Sequence, residues 1–267
     1  MRTIVHISDL HFGRVDPAIV SALTAKIIEL SPDVLVVTGD LTQRARPAEF
    51  AAAALFLANL PFPQIVVPGN HDISLTDPFQ RLLRPLARFR AHIHREVEPR
   101  YFDGQLAILG ANTARAWLIS NGHIGRSQLR SLRAALASHG PNVFKIVATH
   151  HPLAVPPKAP AKAKARGADR ALAVLATAGA DLLLSGHLHL HHADGAGGVA
   201  PSGPLLAVSA GTATSTRLRD EPNSFNALRV DNGRVDVERL DWSKDARRFD
   251  TASRRVFLRT PVGWVAS

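Results

Sequence analysis

The sequence predicts a layered α/β domain, and three observations lead there. Short apolar, β-branched runs recur along the 267 residues, helical segments opened by proline lie between them, and the last part changes to strands around an Asn-Gly turn. The runs are TIVHIS (3–8), VLVVTG (34–39), QIVVPG (64–69), LAILGA (106–111), FKIVAT (144–149), DLLLSG (181–186) and LLAVSA (205–210). Several are near-continuous rather than alternating, as in strands covered on both faces.

Residues 16–30, DPAIVSALTAKIIEL, read as a helix with Asp16 as its cap and Pro17 at its first position. Residues 46–60 repeat the proline start, and 126–140 begin a helix at Ser127 and stop it at Gly140. FNALRVDNGRVDVERLDW (225–242) reads as a hairpin. One domain is expected over 1–267, with 225–267 a C-terminal hairpin and tail extension. The tail's Trp242, Phe249, Phe257 and Trp264 are available for a homo-oligomer interface or for covering a site. PPKAPAKAKARGADR (156–170) reads as a surface loop, or as a lid over whatever His150 and His151 serve.

Composition narrows the class. An apolar content of 46% supports a sizeable core. No apolar run reaches the roughly 18 residues of a membrane span, so no membrane partner is expected. The N-terminus reads as a strand rather than a signal peptide, and the expected compartment is the cytoplasm. With no cysteine, disulfides and thiolate chemistry are excluded. Net charge is +10, but it comes from an arginine-rich, alanine-rich background; nucleic acid is therefore not the expected partner.

Five polar clusters follow predicted strands: Asp9 and His11, Asp40, Asn70-His71-Asp72, His150-His151, and His187 with His189. Ligands bind at the carboxyl ends of strands in α/β sheets, so these residues are candidates for one site. Residues two apart in extended chain point the same way, which lets Asp9 and His11 face one metal and His187 and His189 present two imidazoles together. Oxygen and imidazole donors suit Mn, Fe, Zn, Co or Mg. Gly39, Gly69 and Gly186 permit a sharp turn or close approach before each ligand.

The ordered set D-x-H, G-D, G-N-H-D, H and G-H-x-H resembles the calcineurin-like metallophosphoesterase superfamily. Its wording HISDLHFG, GDLTQ, PGNHD and GHLH looks most like the bacterial class III cyclic-nucleotide phosphodiesterases. The resemblance implies a sandwich of two mixed β-sheets flanked by helices, with a dinuclear site at the strand ends. It places Asp9, His11 and His189 on one metal and Asn70, His150 and His187 on a second, with Asp40 bridging. The two ions would be Fe, Mn, Zn or Co. It further implies in-line attack by a bridging hydroxide on a small phosphodiester, with His71 contacting the phosphate or protonating the leaving oxygen and Asp72 orienting His71. Cyclic AMP, giving 5′-AMP, is the implied substrate.

Competing readings are a broad-specificity phosphodiesterase acting on glycerophosphodiesters, aryl phosphodiesters or nucleotides, and a nuclease using the basic surface. From a different class comes a non-catalytic metal-binding regulatory module, which predicts a missing ligand or a missing His71; all are present. Asn70, His71, Asn112 and His191 are the candidate substrate contacts, with Thr212 and Arg217 as lesser ones. His6 and His151 read as core or supporting histidines. His92, His94, His123, His139 and the solvated His192 read as bystanders.

Overall fold

The computed structural model describes residues 1–156, 163–194, 205–216 and 221–267. The first half runs β1 (Arg2–Ile7), α1 (Pro17–Leu30), β2 (Val34–Thr38), α2 (Pro47–Ala58), β3 (Gln64–Val67), α3 (Pro78–Leu83), α4 (Ala87–His92), β4 (Arg100–Phe102) and β5 (Leu106–Ala111). The second runs α5 (Arg126–Ala137), β6 (Phe144–Thr149), α6 (Ala168–Thr177), β7 (Leu182–Ser185), β8 (His192–Asp194) and β9 (Leu206–Ser209). It closes with β10 (Ser224–Asp231), β11 (Arg234–Ser243), β12 (Arg248–Thr260) and β13 (Gly263–Ala266).

Two mixed sheets face each other, ordered β13-β12-β11-β10-β1-β2-β3 and β4-β5-β6-β7-β9-β8. In the first, β1, β2 and β3 are parallel, and β10 joins β1 antiparallel. In the second, β5, β6, β7 and β9 are parallel. Strand alternation distributes side chains between layers. Ile4, Val34, Val36, Ile108, Ile146 and Leu184 fill the space between the sheets. Their neighbours Val5, Ile7, Leu35 and Val37 meet Leu23 and Ile27 of α1 and Phe50 and Phe56 of α2. On the other side Leu109, Val147 and Leu183 meet Leu132 of α5 and Leu172 of α6. Each central strand is thus buried on both faces, which is why these runs are continuously apolar.

Asp16 caps α1 by accepting a hydrogen bond from Ala18 N at 2.8 Å, and the chain leaves the helix through Ser31 in the left-handed region. Helix α5 stops at Ala137, short of Gly140. Helices α3, α4 and α6 and the short strands β4 and β8 carry too little period to be legible beforehand. Among the described residues no helix is long and apolar enough to cross a membrane.

The C-terminal stretch departs from the expected tail. The Asn-Gly hairpin forms, with Asp231 paired to Arg234. β12 and β13 then continue the same sheet. Phe257 and Trp264 are buried between the sheets, Phe225 and Phe249 pack toward the α1–α2 layer, and Trp242 is half-buried beside them. These aromatics complete the core instead of offering an interface. Of the proposed lid, 157–162 lie outside the described residues. The rest is anchored: Ala165 N donates to Pro152 O at 3.0 Å and Arg166 N to Gly122 O at 2.8 Å, and α6 follows.

Candidate metal centre

Strands β1, β2 and β3 of one sheet and β6 and β7 of the other deliver the polar clusters to a common edge. The backbone there is unusual. Asp9, His11, Asp40, His187 and His189 all have positive φ, between 52° and 71°, and they are five of the eight such non-glycine residues among those described. This conformation costs each roughly 1–2 kcal/mol, so tertiary contacts must hold it. Asp9 N donates to Gly39 O at 3.0 Å and His11 N to Asp40 O at 2.9 Å. Thr212 Oγ1 donates to Asp9 O and Thr214 Oγ1 to Leu10 O, both at 2.7 Å. The pairs Asp9/His11 and His187/His189 therefore converge through left-handed turns, not through extended-strand alternation. Glycines admit the close approach: a Cβ on Gly186 would sit 1.8 Å from Ser8 Oγ, and one on Gly69 2.1 Å from Asp40 Oδ1.

The side chains meet at short range. His189 Nε2 lies 3.1 Å from Asp9 Oδ1 and 3.3 Å from His11 Nε2. His11 Nε2 is 3.9 Å from Asp40 Oδ2, whose other oxygen is 3.4 Å from His150 Nε2. His150 Nε2 is also 3.2 Å from Asn70 Oδ1, and its ring lies 5.1 Å from that of His187. Donor atoms fall into overlapping clusters: Asp9-His11-His189, Asp9-Asp40-His150, His11-Asp40-His71 and His150-His151-His187. All seven residues that the resemblance names as ligands are brought together, and Asp40 stands between the two groups.

This arrangement fits cations. A carbonyl oxygen only accepts, so the 2.7 Å contact of His150 Nδ1 with Thr38 O places the hydrogen on Nδ1. Nε2 then faces two acceptors, Asn70 Oδ1 and Asp40 Oδ1, and must carry a second proton or bind a metal. Without metal it takes the proton: burial would lower His150, but Asp40 and then Asp9 hold it up at about 9. The same carboxylates raise His11 against its burial. Burial opposes ionisation of Asp9 and Asp40 too, yet the surrounding imidazoles, His189 for Asp9 and His150 for Asp40, keep both well below the usual carboxylate range. His187 is pushed down to about 4 by burial and by His150, leaving it neutral and ready to ligate. Asp9 Oδ1 is buried with the Nε2 atoms of His189 and His11 beside it, at 3.1 and 3.7 Å.

His71 stands at this centre, its ring edge-on to His11 at 4.9 Å. Asp72 does not orient it. His71 Nδ1 donates to Gln43 O at 2.8 Å, which leaves Nε2 for substrate. Asp72 instead accepts from Leu41 N, Thr42 N, Thr42 Oγ1 and Gly69 N, pinning the turn after β2 to the turn after β3. Burial, then Asp40, pushes Asp72 up to about 6. A carboxylate saturated by backbone donors has no lone pair directed at His71.

Other candidates take local roles. Asn112 Oδ1 accepts from Ala114 N at 2.9 Å, closing a turn, and the residue lines a cavity beside Ile73. His191 is half-buried, with Nδ1 on Asn226 Oδ1 at 2.9 Å, and joins none of the donor clusters. Thr212 serves the Asp9 turn, and Arg217 lies outside the described residues. His6 is a core histidine with Nε2 3.0 Å from Thr38 Oγ1. His151 supports the site through Thr113 Oγ1 at 2.9 Å, with its ring 4.5 Å from that of His187. His192 opens β8 half-buried, not solvated, because pairing with Ser209 draws it into the sheet. The contributions that sequence reasoning missed are mostly backbone carbonyls, Thr38 O and Gln43 O, together with Ser8, which donates to Asp9 Oδ2 at 2.6 Å. A carbonyl leaves no signature in a sequence.

Comparison with known proteins identifies the family and the fold. Residues 2–191 match the family described as calcineurin-like phosphoesterase. The chain is 35% identical to a glycerophosphodiester phosphodiesterase of Enterobacter lignolyticus, over 31% of this chain and 33% of that protein. It is 42% identical to a UDP-2,3-diacylglucosamine pyrophosphatase of Chlamydia trachomatis, over 26% of this chain and 22% of that protein. The matched stretches thus span a third or less of these relatives. The fold is similar to that of a purple acid phosphatase from yellow lupin (Lupinus luteus) seeds, with TM-score 0.69 at 12% identity over 96% of this chain and 53% of that one.

Proposed function

Because the chain belongs to the calcineurin-like phosphoesterase family, we propose that it is a phosphodiester hydrolase working with two metal ions held by Asp9, His11, Asp40, Asn70, His150, His187 and His189. The carrying observation is His150 Nε2: its tautomer is set by Thr38 O, and it is directed at the oxygens of Asp40 and Asn70. When bound, the cations supply a water of lowered pKa and positive charge for the phosphate oxygens. The protein's own residues do the rest. Asp40 links the two halves of the site, and its Oδ1 also accepts from His71 N at 2.8 Å, which fixes the histidine's distance from the centre. A protonated His71, with its Nδ1 hydrogen committed to Gln43 O, has the Nε2 hydrogen to give to the departing oxygen.

Among substrates we place 3′,5′-cyclic AMP first, on the likeness of HISDLHFG, GDLTQ, PGNHD and GHLH to bacterial cyclic-nucleotide phosphodiesterases. Water oxygen then bonds to phosphorus and gives up a proton to solvent, the P–O3′ bond breaks, and O3′ takes the proton from His71, which regains one from solvent, giving 5′-AMP. The second reading, a glycerophosphodiester or broad-specificity phosphodiesterase, is favoured by the Enterobacter relative. The deciding test is kcat/KM on cyclic AMP, cyclic GMP, glycerophosphocholine and bis(4-nitrophenyl) phosphate with metal-reconstituted protein. Cyclic AMP should lead by tenfold or more, on the order of 1.4 kcal/mol of discrimination. Flat values would leave the broad-specificity reading, and no turnover on any would overturn both.

A further inference from the structure

One part of the surface is conspicuously apolar. Helix α3 exposes Phe79 by 76%, Leu82 by 70% and Leu83 by 64%, and the loop after β5 exposes Trp117 and Ile119 by 67% each. Positions 79, 82 and 83 share one face of the helix. The two segments form one surface: Arg81 Nη2 donates to Leu118 O at 2.8 Å, and Leu82, Leu83 and Trp117 line a common cavity of about 660 Å³. Buried Ile73, Leu86 and Ala114 line that cavity too, and Ile73 comes two residues after His71.

The charge around this patch is one-sided. Residues 73–95 and 111–123 together hold six arginines (81, 84, 88, 90, 95 and 115) and one acid, Asp77; Glu98 borders the cavity, where it accepts from Asn112 N at 3.3 Å and offsets the charge of Arg115. Asp77 is already engaged, accepting from Gln80 N as the cap of α3 and pairing with Arg88 at 3.5 Å. Arg84 and Arg90 are exposed, line the cavity, and have no carboxylate partner among the described residues. A second copy seated here would bring two strongly cationic faces together, which electrostatics disfavours. A partner with an apolar interior and an anionic surface satisfies both features. Such a partner is an anionic bilayer, whose headgroup phosphates take guanidinium groups while the acyl boundary takes Trp, Phe and Leu side chains.

We propose that this face docks the protein onto an anionic lipid surface, with α3 and residues 117–119 at the headgroup–acyl boundary. The contact is peripheral and needs no membrane-spanning segment. It rests on the surface alone, not on the phosphodiesterase reading.

The test is sedimentation of the full chain with vesicles of phosphatidylcholine, either pure or with about 30 mole per cent phosphatidylglycerol. The protein should bind the anionic vesicles at least about tenfold more tightly than the neutral ones, and less as salt rises. Phe79→Ser, Leu82→Ser and Trp117→Ser combined should weaken binding by a further tenfold or so. Arg84→Ser and Arg90→Ser should each cost roughly fivefold. Thermal unfolding should stay at the wild-type temperature in every variant, because the replaced side chains are exposed. No binding to anionic vesicles, equal binding to both kinds, or a dimer dissolved by the same substitutions would each overturn the proposal. Binding requires no turnover, so its failure leaves the reading of the metal centre standing.

Discussion

Two histidine rings at the centre are set by backbone carbonyls, and their roles can be separated by single substitutions. Thr38 O takes the Nδ1 hydrogen of His150 and Gln43 O that of His71, so each ring keeps Nε2 for the site. His71→Ala should lower kcat on a phosphodiester by roughly 10²–10⁴-fold, with metal content by elemental analysis unchanged. Asp40→Ala should lose activity and metal together, because its two oxygens face His11 and His150 on opposite sides. Equal metal loss in both variants would make His71 a ligand and not a proton donor. The identities of Asp9, His11, Asp40, Asn70, His150, His187 and His189 were legible in the sequence as side-chain chemistry following each strand. The orienting partner of His71 was not: Asp72 is its neighbour in the chain, yet Gln43 O, 28 residues away, makes the contact.

Between elements, Asp72 is the tie. Its carboxylate gathers donors from Leu41, Thr42 and Gly69, holding the turn after β2 against the turn after β3. Asp72→Ala should therefore destabilise the fold by about 1–3 kcal/mol or more, since buried donors lose their acceptor. Urea titration measures this, and the pH profile of kcat should keep its shape. A shifted profile at full stability would restore Asp72 as the group that orients His71. The glycine turns act at the same scale. Gly186→Ala places a methyl group against Ser8 Oγ and Asp9 Oδ2, so it should lower both the unfolding temperature and metal content. Strands buried on both faces and helices opened by proline were readable from apolar runs and caps. β12 was not, because RFDTASRRVFLRT exposes most of its residues and takes its place by pairing with β11.

For the molecule as a whole, the buried polar core sets its response to acid. His6 is wholly buried between Thr38 and Asn226, and burial, followed by the charge of His191, pushes its pKa from 6.5 to about 3. As pH falls, the unfolded chain takes up this proton first. The stability gained by keeping His6 neutral is thus complete above pH 6.5 and drains away between 6.5 and about 3. Its slope is at most about 1.4 kcal/mol per pH unit. His6→Gln should flatten that part of the stability curve, measured by urea unfolding at about pH 7 and about pH 4.5; an unchanged slope would place the acid sensitivity elsewhere. The sequence by itself determined the layered α/β class and named the candidate ligands, because strand burial and ligand chemistry are both written in side chains. Only the tertiary structure decided how those residues meet. The left-handed turns at Asp9, His11, Asp40, His187 and His189 are held by hydrogen bonds from distant backbone and from Thr212 and Thr214. Contacts made by backbone atoms across two sheets have no local pattern in the chain.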